Sequence, residues 1–494
     1  MYVFRMQIHY AAARGDINAV KAELAKGVDV DTRLEIPLIQ MPELDDGELT
    51  EEIAVIASHM RSIFEEYSNN LSDAVGETPL IMAAKSARAD TQTLQLLLDH
   101  GADPNARGGQ VETCPLGATI QGSSLDHVRL LVKYGGDLSY VSSKGYNALI
   151  DVAYNYTESQ STILDYLLDH ELNLDQATSY GENPAVVMSR RGQFELVKKL
   201  LDAGASREPL RWTDLMWSIV YDGAEKVATK LPSADLTALD ACCRTPFLLA
   251  CQVGDTARAK LLINHGASLQ DTDHTGRHAM FFACSTDSVE MAQWLAEKSD
   301  GALLNKPDEY GTTPLMEASA NGACKCVRFL LEAGVDINTQ SSSTGRNAMS
   351  EAKDIRTVKV LMEYGGDIDV VDGSGYWLLK NAAETDSLAF TNELLAEGAT
   401  VDVTHTGDTA LHRAISLDHL DIAQALLTAG ADPNATDVDG WNPLHGALSM
   451  PAISLLLNAG ADPNVRDLIG QTPAETYTDP ALREFISNRN TDSP

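Results

Sequence analysis

The sequence predicts an all-α fold, a solenoid of stacked helix-turn-helix units joined by short hairpin finger loops. Three observations predict it. A unit of about 33 residues recurs along the chain of 494 residues, glycines stand at fixed places in each unit, and apolar residues recur at helical spacing between those glycines. Helices this short cannot bury their apolar faces alone, so neighbouring units must bury them by stacking.

Two series of glycines mark the units. The first series opens successive units at spacings of 35, 34, 30, 32, 33 and 30 residues: Gly276, Gly311, Gly345, Gly375, Gly407, Gly440 and Gly470. The second series follows apolar runs and closes the second helices: Gly27, Gly101, Gly135, Gly204, Gly266, Gly334, Gly365, Gly398, Gly430 and Gly460. A glycine there suits the left-handed conformation that ends a helix. We count about 14 units between Ile8 and Asn488, several of them degenerate.

One unit illustrates both predicted helices. Pro314 follows Thr313, as expected for proline at the first helical position. Helical spacing then predicts that Leu315, Ala318 and Ser319 face the neighbouring helices. The second helix carries the apolar positions Cys326, Val327, Leu330 and Leu331.

Two late units carry a recognisable motif. Residues 407–415 read Gly-Asp-Thr-Ala-Leu-His-Arg-Ala-Ile, and residues 440–447 read Gly-Trp-Asn-Pro-Leu-His-Gly-Ala. This pattern resembles the ankyrin repeat, whose hallmark is T-P-L-H-x-A in a unit of about 33 residues. The resemblance implies a non-enzymatic protein whose partners meet the concave face, built from finger tips and the exposed side of the first helices. It also implies that His9, His412 and His445 form hydrogen bonds between neighbouring units.

The repeats predict six segments along the chain. They are an N-terminal capping repeat (1–33), an insertion with one amphipathic helix (34–75), repeats (76–210), a divergent repeat or hinge (211–244), repeats (245–469) and a C-terminal capping repeat with a tail (470–494). Two functions stay open for the insertion, a lid on the N-terminal apolar surface or a binding element. The divergent repeat, which lacks the sequence of a standard second helix, is either a hinge or a drifted unit that still packs.

Composition bounds the setting of the protein. No apolar stretch approaches the roughly 20 residues that cross a bilayer, and the first ten residues lack the pattern of a secretory signal. Seven cysteines without Cys-x-x-Cys pairs agree with a reducing compartment and core packing. We therefore expect a cytoplasmic protein, with export by a signal-free route left open.

The chain is strongly acidic. It has 37 basic and 71 acidic residues, a formal charge of −34 and a sequence pI of about 4.6. Such a field repels nucleic acid and anionic membranes and accelerates encounter with cationic surfaces. Two causes stay open, solubility of an extended stack and attraction of a basic partner.

Catalytic and metal motifs are missing from the sequence. It contains no Gly-x-x-x-x-Gly-Lys-Ser/Thr loop, no Gly-x-Ser-x-Gly elbow and no His-Glu-x-x-His helix. We therefore expect no enzyme, no cofactor and no metal site.

The finger tips supply the candidate partner-binding residues. Tyr146, Tyr376 and Trp441 directly follow an opening glycine, and Tyr180 and Tyr310 directly precede one. Tyr and Trp are enriched at the energetic centres of interfaces, although local packing explains the pattern equally well. The nearby acids Asp408, Asp437 and Asp439 complete the set.

These patterns predict a protein partner on the concave face, no binding of nucleic acid or membrane, and a chain that is monomeric when free. The specific hypothesis is an acidic inhibitor or sequestering (immunity-like) protein for a basic partner. The alternative is an adaptor or a host-directed effector that bridges two proteins.

Overall fold

The computed structural model describes residues 9, 11–12, 17–33, 77–85, 91–109, 112–122, 124–154, 159–373, 375–404, 407–477 and 480–489. The predicted insertion 34–75 lies outside the described residues. The described part is helical and contains no strand, only isolated bridges between single residues. The chain divides into two compact units, 1–209 and 210–494.

The helices of the first compact unit alternate between the two positions of a repeat. They are α1 (Ile17–Ala25), α2 (Pro79–Lys85), α3 (Thr91–Asp99), α4 (Pro115–Gln121), α5 (Leu125–Lys133), α6 (Ala148–Tyr154), α7 (Gln160–Leu168), α8 (Pro184–Arg190) and α9 (Phe194–Asp202). The first helices α2, α4, α6 and α8 pack side by side and form an inner row. The second helices form the outer row, in which α1 contacts α3 and α3 contacts α5.

The second compact unit repeats this plan with more variation. Its helices are α10 (Asp214–Tyr221), α11 (Ala224–Lys230), α12 (Pro246–Val253), α13 (Thr256–Asn264), α14 (Ala279–Ser285), α15 (Val289–Lys298), α16 (Pro314–Asn321), α17 (Cys324–Glu332), α18 (Ile355–Glu363), α19 (Leu378–Glu384), α20 (Leu388–Ala396), α21 (Ala410–Ser416), α22 (Leu420–Thr428), α23 (Met450–Asn458), α24 (Pro473–Thr476) and α25 (Pro480–Arg489).

The two rows of this second unit differ in continuity. The outer row runs unbroken, since each of α11, α13, α15, α17, α18, α20, α22, α23 and α25 contacts the next. The inner row runs through α10, α12, α14 and α16, and resumes at α19 and α21. Between α16 and α19 the chain forms turns over residues 348–351 where a first helix is expected.

Capping explains where a regular unit begins and ends. The Thr313 hydroxyl accepts a hydrogen bond from the backbone N–H of Met316 (3.3 Å), and Pro314 takes the first helical position. Gly334 follows α17 with a φ of +84°, a conformation that strains any residue with a Cβ. The predicted inward-facing residues of this unit are confirmed, because Leu315, Ala318 and Ser319 are all buried, as are Cys326, Val327, Leu330 and Leu331.

The divergent repeat retains both helices. The expected loss of a standard second helix is only partial, since α11 spans seven residues and continues into a single 3-10 turn, Leu231–Ser233. A buried ion pair between Arg244 and Asp240 closes the following finger, and Trp212 Nε1–H donates to the same carboxylate (3.3 Å). These contacts tie the following finger to Trp212, at the start of the divergent repeat.

No helix among the described residues combines the length and apolar content needed to span a membrane.

Candidate partner-binding surface

The finger surface comprises the hairpin tips and the first-helix residues beside them. Several of the hairpins close through one aspartate whose carboxylate caps the turn. Asp437 Oδ1 accepts hydrogen bonds from the backbone N–H groups of Asp439 (2.9 Å) and Trp441 (2.9 Å), and Asp308 does the same for Tyr310 and Thr312. These aspartates therefore stabilise the conformation of the tips. The sequence pattern alone did not distinguish this structural role from a role in partner binding.

Neighbouring units are joined by the histidines of the motif, as the resemblance implied. His412 Nε2–H donates to the carbonyl of Trp441 (3.1 Å), and His9 Nε2 lies 3.1 Å from the carbonyl of Glu77. Burial lowers the pKa of His445, which keeps its ring neutral near pH 7. The histidines thus hold neighbouring units together through hydrogen bonds.

Two of the predicted anchors meet in the first compact unit. The Tyr146 and Tyr180 rings lie 6.3 Å apart at an edge-to-face angle of 67°, and the Tyr180 hydroxyl donates to the Tyr146 oxygen. This hydrogen bond, with burial, raises the pKa of Tyr146. Tyr180 is 56% exposed and Tyr146 is half-buried. Together they offer an aromatic surface with one ring presented to solvent.

Three residues that the sequence did not single out support this pair. The Tyr154 ring lies 6.3 Å from Tyr146, and its hydroxyl donates to Glu182 Oε2 (2.5 Å). Arg190 Nη2–H donates to the Tyr154 oxygen (3.2 Å) and pairs with Glu182 (2.6 Å). Burial and the Glu182 hydrogen bond raise the pKa of Tyr154 to about 12. The Tyr154 hydroxyl therefore stays protonated across the physiological pH range.

Tyr310 is the most isolated of the candidates. Its side chain is 54% exposed, whereas its backbone carbonyl accepts hydrogen bonds from Ser341 Oγ (2.9 Å) and from the backbone N–H of Ser343 (3.1 Å). The backbone is therefore fixed by the next finger while the ring projects into solvent. Because the backbone is already fixed, a partner that binds this ring would cost little conformational entropy of the loop, which suits an anchor residue.

Tyr376 is occupied from within the chain. The Arg346 guanidinium lies 4.3 Å from the centre of the Tyr376 ring and pairs with Glu351 (3.3 Å). Burial raises the pKa of Tyr376 to about 12. Arg346 directly follows the opening glycine Gly345, as Tyr146, Tyr376 and Trp441 follow theirs. This shared position in the repeat could have identified Arg346 as a finger residue from the sequence.

The acids of the candidate set are largely engaged in internal contacts. Asp408 lies 3.0 Å from Arg413 Nε and 3.5 Å from Lys380 Nζ. Asp437 caps its turn, and burial raises the pKa of its carboxyl. Asp439 is half-buried, and its backbone carbonyl accepts from the N–H of Leu468 in the next tip (2.9 Å). The Asp408 carboxylate is therefore ion-paired within the chain, and the Asp437 carboxylate is hydrogen-bonded to backbone N–H groups.

Trp441 packs locally, and the apolar residues near it are the exposed ones. The Trp441 ring is half-buried and stacks on His445 at 5.9 Å with an interplanar angle of 17°. Val438, Leu468 and Ile469, which occupy the two adjacent tips, are each about half exposed or more.

The cysteines and acids show no cluster with site chemistry in the described part of the chain. All seven cysteines are free thiols, and burial raises the pKa of Cys114 to about 11. No group of three or more His, Cys, Asp or Glu side chains is arranged there to hold a metal ion.

Comparisons with known proteins agree on one family. A model described as ankyrin repeats (3 copies) matches residues 215–308, 247–341 and 347–437, and a model described as ankyrin repeat matches residues 75–109 and 439–468. Together these matches cover more than half of the chain.

Curated relatives share the repeats over part of their own length. The chain is 32% identical over 185 residues to ankyrin repeat protein nuc-2 of Neurospora crassa, which covers 36% of this chain and 17% of that protein. It is 27% identical over 431 residues to ankyrin repeat and KH domain-containing protein mask-1 of Caenorhabditis elegans, covering 80% and 16%. The chain thus spans less than a fifth of each of these two relatives. The solved ankyrin repeat domain of human ASB11 is 22% identical, with a TM-score of 0.34, covering 51% of this chain and 99% of that one.

Proposed function

This chain belongs to the ankyrin-repeat family, and we propose that it is a cytoplasmic, non-enzymatic protein that inhibits or sequesters a basic protein partner. Ankyrin repeats serve protein–protein binding, and the finger surface presents exposed rings for that purpose, Tyr180 and Tyr310. The proposal adds the sign of the partner's charge and the consequence of binding.

The observation that carries this proposal is the net charge of −34. A field of that size draws cationic proteins and raises their rate of encounter. Because Asp408 and Asp437 are engaged internally, the attraction comes from the summed field more than from these two tips. Exposed rings then supply the short-range part of the binding energy, since Tyr and Trp dominate energetic centres of interfaces.

A second candidate is an adaptor that bridges two proteins. The observation in its favour is the division into two compact units, 1–209 and 210–494, each with an exposed tyrosine on a finger. An adaptor retains two different partners at once, whereas an inhibitor pairs one-to-one with a single partner.

Affinity purification followed by binding kinetics tests the proposal. The full chain is used to retrieve partners from the cells that produce it, and the purified partner is titrated by calorimetry. We expect one basic partner at a 1:1 ratio, and an association rate that falls steeply between about 50 and 500 mM salt, because screening shortens the reach of surface charge. An acidic partner, or a rate that salt does not change, would contradict the proposed basic partner.

Matched tyrosine variants test which surface binds. Tyr310→Ala removes an exposed ring from a finger, and Tyr364→Ala removes a half-buried ring at the end of the outer helix α18. We expect Tyr310→Ala to weaken binding by about 2 kcal/mol if the ring is an anchor, and Tyr364→Ala to have little effect. Equal losses would mean that the finger surface is not the binding face.

A further inference from the structure

One repeat in the second compact unit, the one that opens at Gly345, has lost its first helix. Its caps, Asn347 and Asp354, are 7 positions apart, whereas the corresponding residues of the preceding unit, Thr313 and Ala323, are 10 apart. Three missing residues are nearly one turn of an α-helix. Asn347 Oδ1 accepts from the N–H groups of Met349 (3.0 Å) and Ser350 (3.0 Å), which closes a turn instead.

The missing helix leaves a groove between successive units. A cavity of about 520 Å³ opens beside the turn, bounded by the end of α16, by α19 and by the first turns of α20. The residues that the argument uses among its lining are Arg346, Tyr376, Asn381, Ala389, Phe390 and Glu393. Its volume falls within the roughly 300–1,000 Å³ of typical ligand sites.

Several polar side chains in this groove have no partner within the described residues, among them those of Asn381 and Glu393. No hydrogen bond or ion pair reaches the side-chain amide of Asn381 or the carboxylate of Glu393, which lies exposed on α20. Their neighbours differ, since Glu351 pairs with Arg346 and Asp354 pairs with Arg356 (2.7 Å). The unpaired groups therefore include an amide and an acid.

These groups match the chemistry of an extended peptide. A carboxamide offers both a donor and an acceptor, which is what the backbone of one extended residue needs. A free carboxylate recognises a lysine or arginine side chain. Phe390 and Ala389 add apolar surface beside both groups. Lys353, also free of ion pairs, provides a cation at the loop edge that is suited to a peptide carbonyl or carboxylate.

We propose that this groove binds a short extended segment of the partner, with one basic side chain on Glu393 and its backbone on Asn381. The inference rests on the proposed function, because it assigns the basic partner a point of entry. It adds that recognition is local and sequence-specific, beyond attraction by the summed field.

Peptide selection against the full chain tests this proposal. A displayed library of random dodecapeptides is selected on the immobilised protein, and the enriched peptides are synthesised with a fluorescent label for anisotropy. We expect a shared lysine or arginine in these peptides. Glu393→Gln and Asn381→Ala should each weaken their binding about tenfold, and Ala389→Trp, which fills the groove, should abolish it.

The matched control is Asn392→Trp, which introduces the same side chain at an exposed position of α20 outside the groove lining. It should bind the peptides normally. If Ala389→Trp fails to fold, Glu393→Gln carries the test, since it keeps the shape of the side chain. Failure to enrich any peptide, enrichment of peptides without a basic residue, or binding unchanged in Glu393→Gln and Asn381→Ala would overturn the proposal.

The two proposals fail separately. If Ala389→Trp binds the whole basic partner as tightly as the native chain does, the groove is not the point of entry and the proposed function stands. If basic peptides bind in the groove but the natural partner is acidic, the proposed function fails while the groove remains a peptide site.

Discussion

Two units of the second compact unit are equally short and differ in what replaces the first helix. Gly345 to Gly375 and Gly440 to Gly470 both span 30 residues, and in both the two cap residues are 7 positions apart. The earlier unit forms only turns over residues 348–351, whereas the later one keeps a 3-10 helix, Pro443–Gly446.

Side-chain chemistry accounts for this difference. In the later unit Pro443 presets the backbone, and the N–H of Asn442 donates to His445 Nδ1 (3.1 Å), which stabilises a helical turn. In the earlier unit Ser350 Oγ accepts from the N–H of Asn347 in the same way (3.0 Å), but the Ser350 hydroxyl also donates to the carbonyl of Asn347 (3.1 Å). This second hydrogen bond occupies a carbonyl that a first helix would use, and such local side-chain hydrogen bonds compete with the helix.

In both short units the outer row of helices keeps the repeats packed together, whereas the structure of the inner row differs between the two units. The outer helices α18 and α23 each contact both neighbours although the first half of their unit is short. Variation in the inner row changes the finger surface, where the resemblance places binding. We therefore expect the irregular unit to contribute to partner binding as much as the regular units do.

Leucine-to-alanine changes in the outer helices should have the largest effect. They test whether the outer helix of the short unit, α18, is packed as well as the outer helix of a regular unit, α17. Leu330 on α17 and Leu361 on α18 are both fully buried. Each change to alanine should cost about 2–5 kcal/mol in the free energy of unfolding, measured with urea. A cost below about 1 kcal/mol for Leu361→Ala alone would break the claim of a continuous outer row.

Cap substitutions test the second half of each short unit. Asp354 Oδ1 accepts from the N–H of Thr357 (2.9 Å), and Ser449 Oγ accepts from the N–H of Ala452 (3.2 Å). Loss of either cap in an alanine variant should cost about 0.5–2 kcal/mol. Ser449→Ala should cost more, because Ser449 also donates to the buried Asp418 (2.6 Å). The reverse order in denaturant unfolding would contradict this reading.

Transplanting the proline tests the account of the turn. Ala348 follows Asn347 as Pro443 follows Asn442. Ala348→Pro should raise stability by about 0.4–1 kcal/mol by restricting the unfolded chain, seen as a higher urea midpoint. A loss of stability would show that the turn at residue 348 has a backbone unlike that at Pro443.

The last prediction is a pH effect specific to the later unit. Burial lowers the pKa of His445, so its stabilising contribution is fully present above the usual histidine pKa of about 6.5 and is lost as pH falls below it. Between pH 7.5 and 5.5 the native chain should therefore lose more stability than His445→Gln. Identical losses in the two proteins would remove His445 from the account.

Much of the fold is predictable from sequence, because most units repeat the same glycines, caps and apolar positions. The spacing of 30 residues also marked both short units, without showing that Ser350 closes a turn in one of them. Contacts between units escaped prediction, since one sequence does not show that Arg346 covers Tyr376 or that Arg413 neutralises Asp408. The candidate site was thus located by repeat position, while the state of each side chain depended on neighbours.

Amide hydrogen exchange of the full chain, with and without the purified partner, would show directly which face the partner covers. We expect binding to protect finger tips such as residues 308–312 and the groove around residues 347–353 and 381–390, while the outer face of α17 and α18 is unchanged. Protection confined to the outer helices, with exchange at the fingers and the groove unaltered, would contradict this expectation.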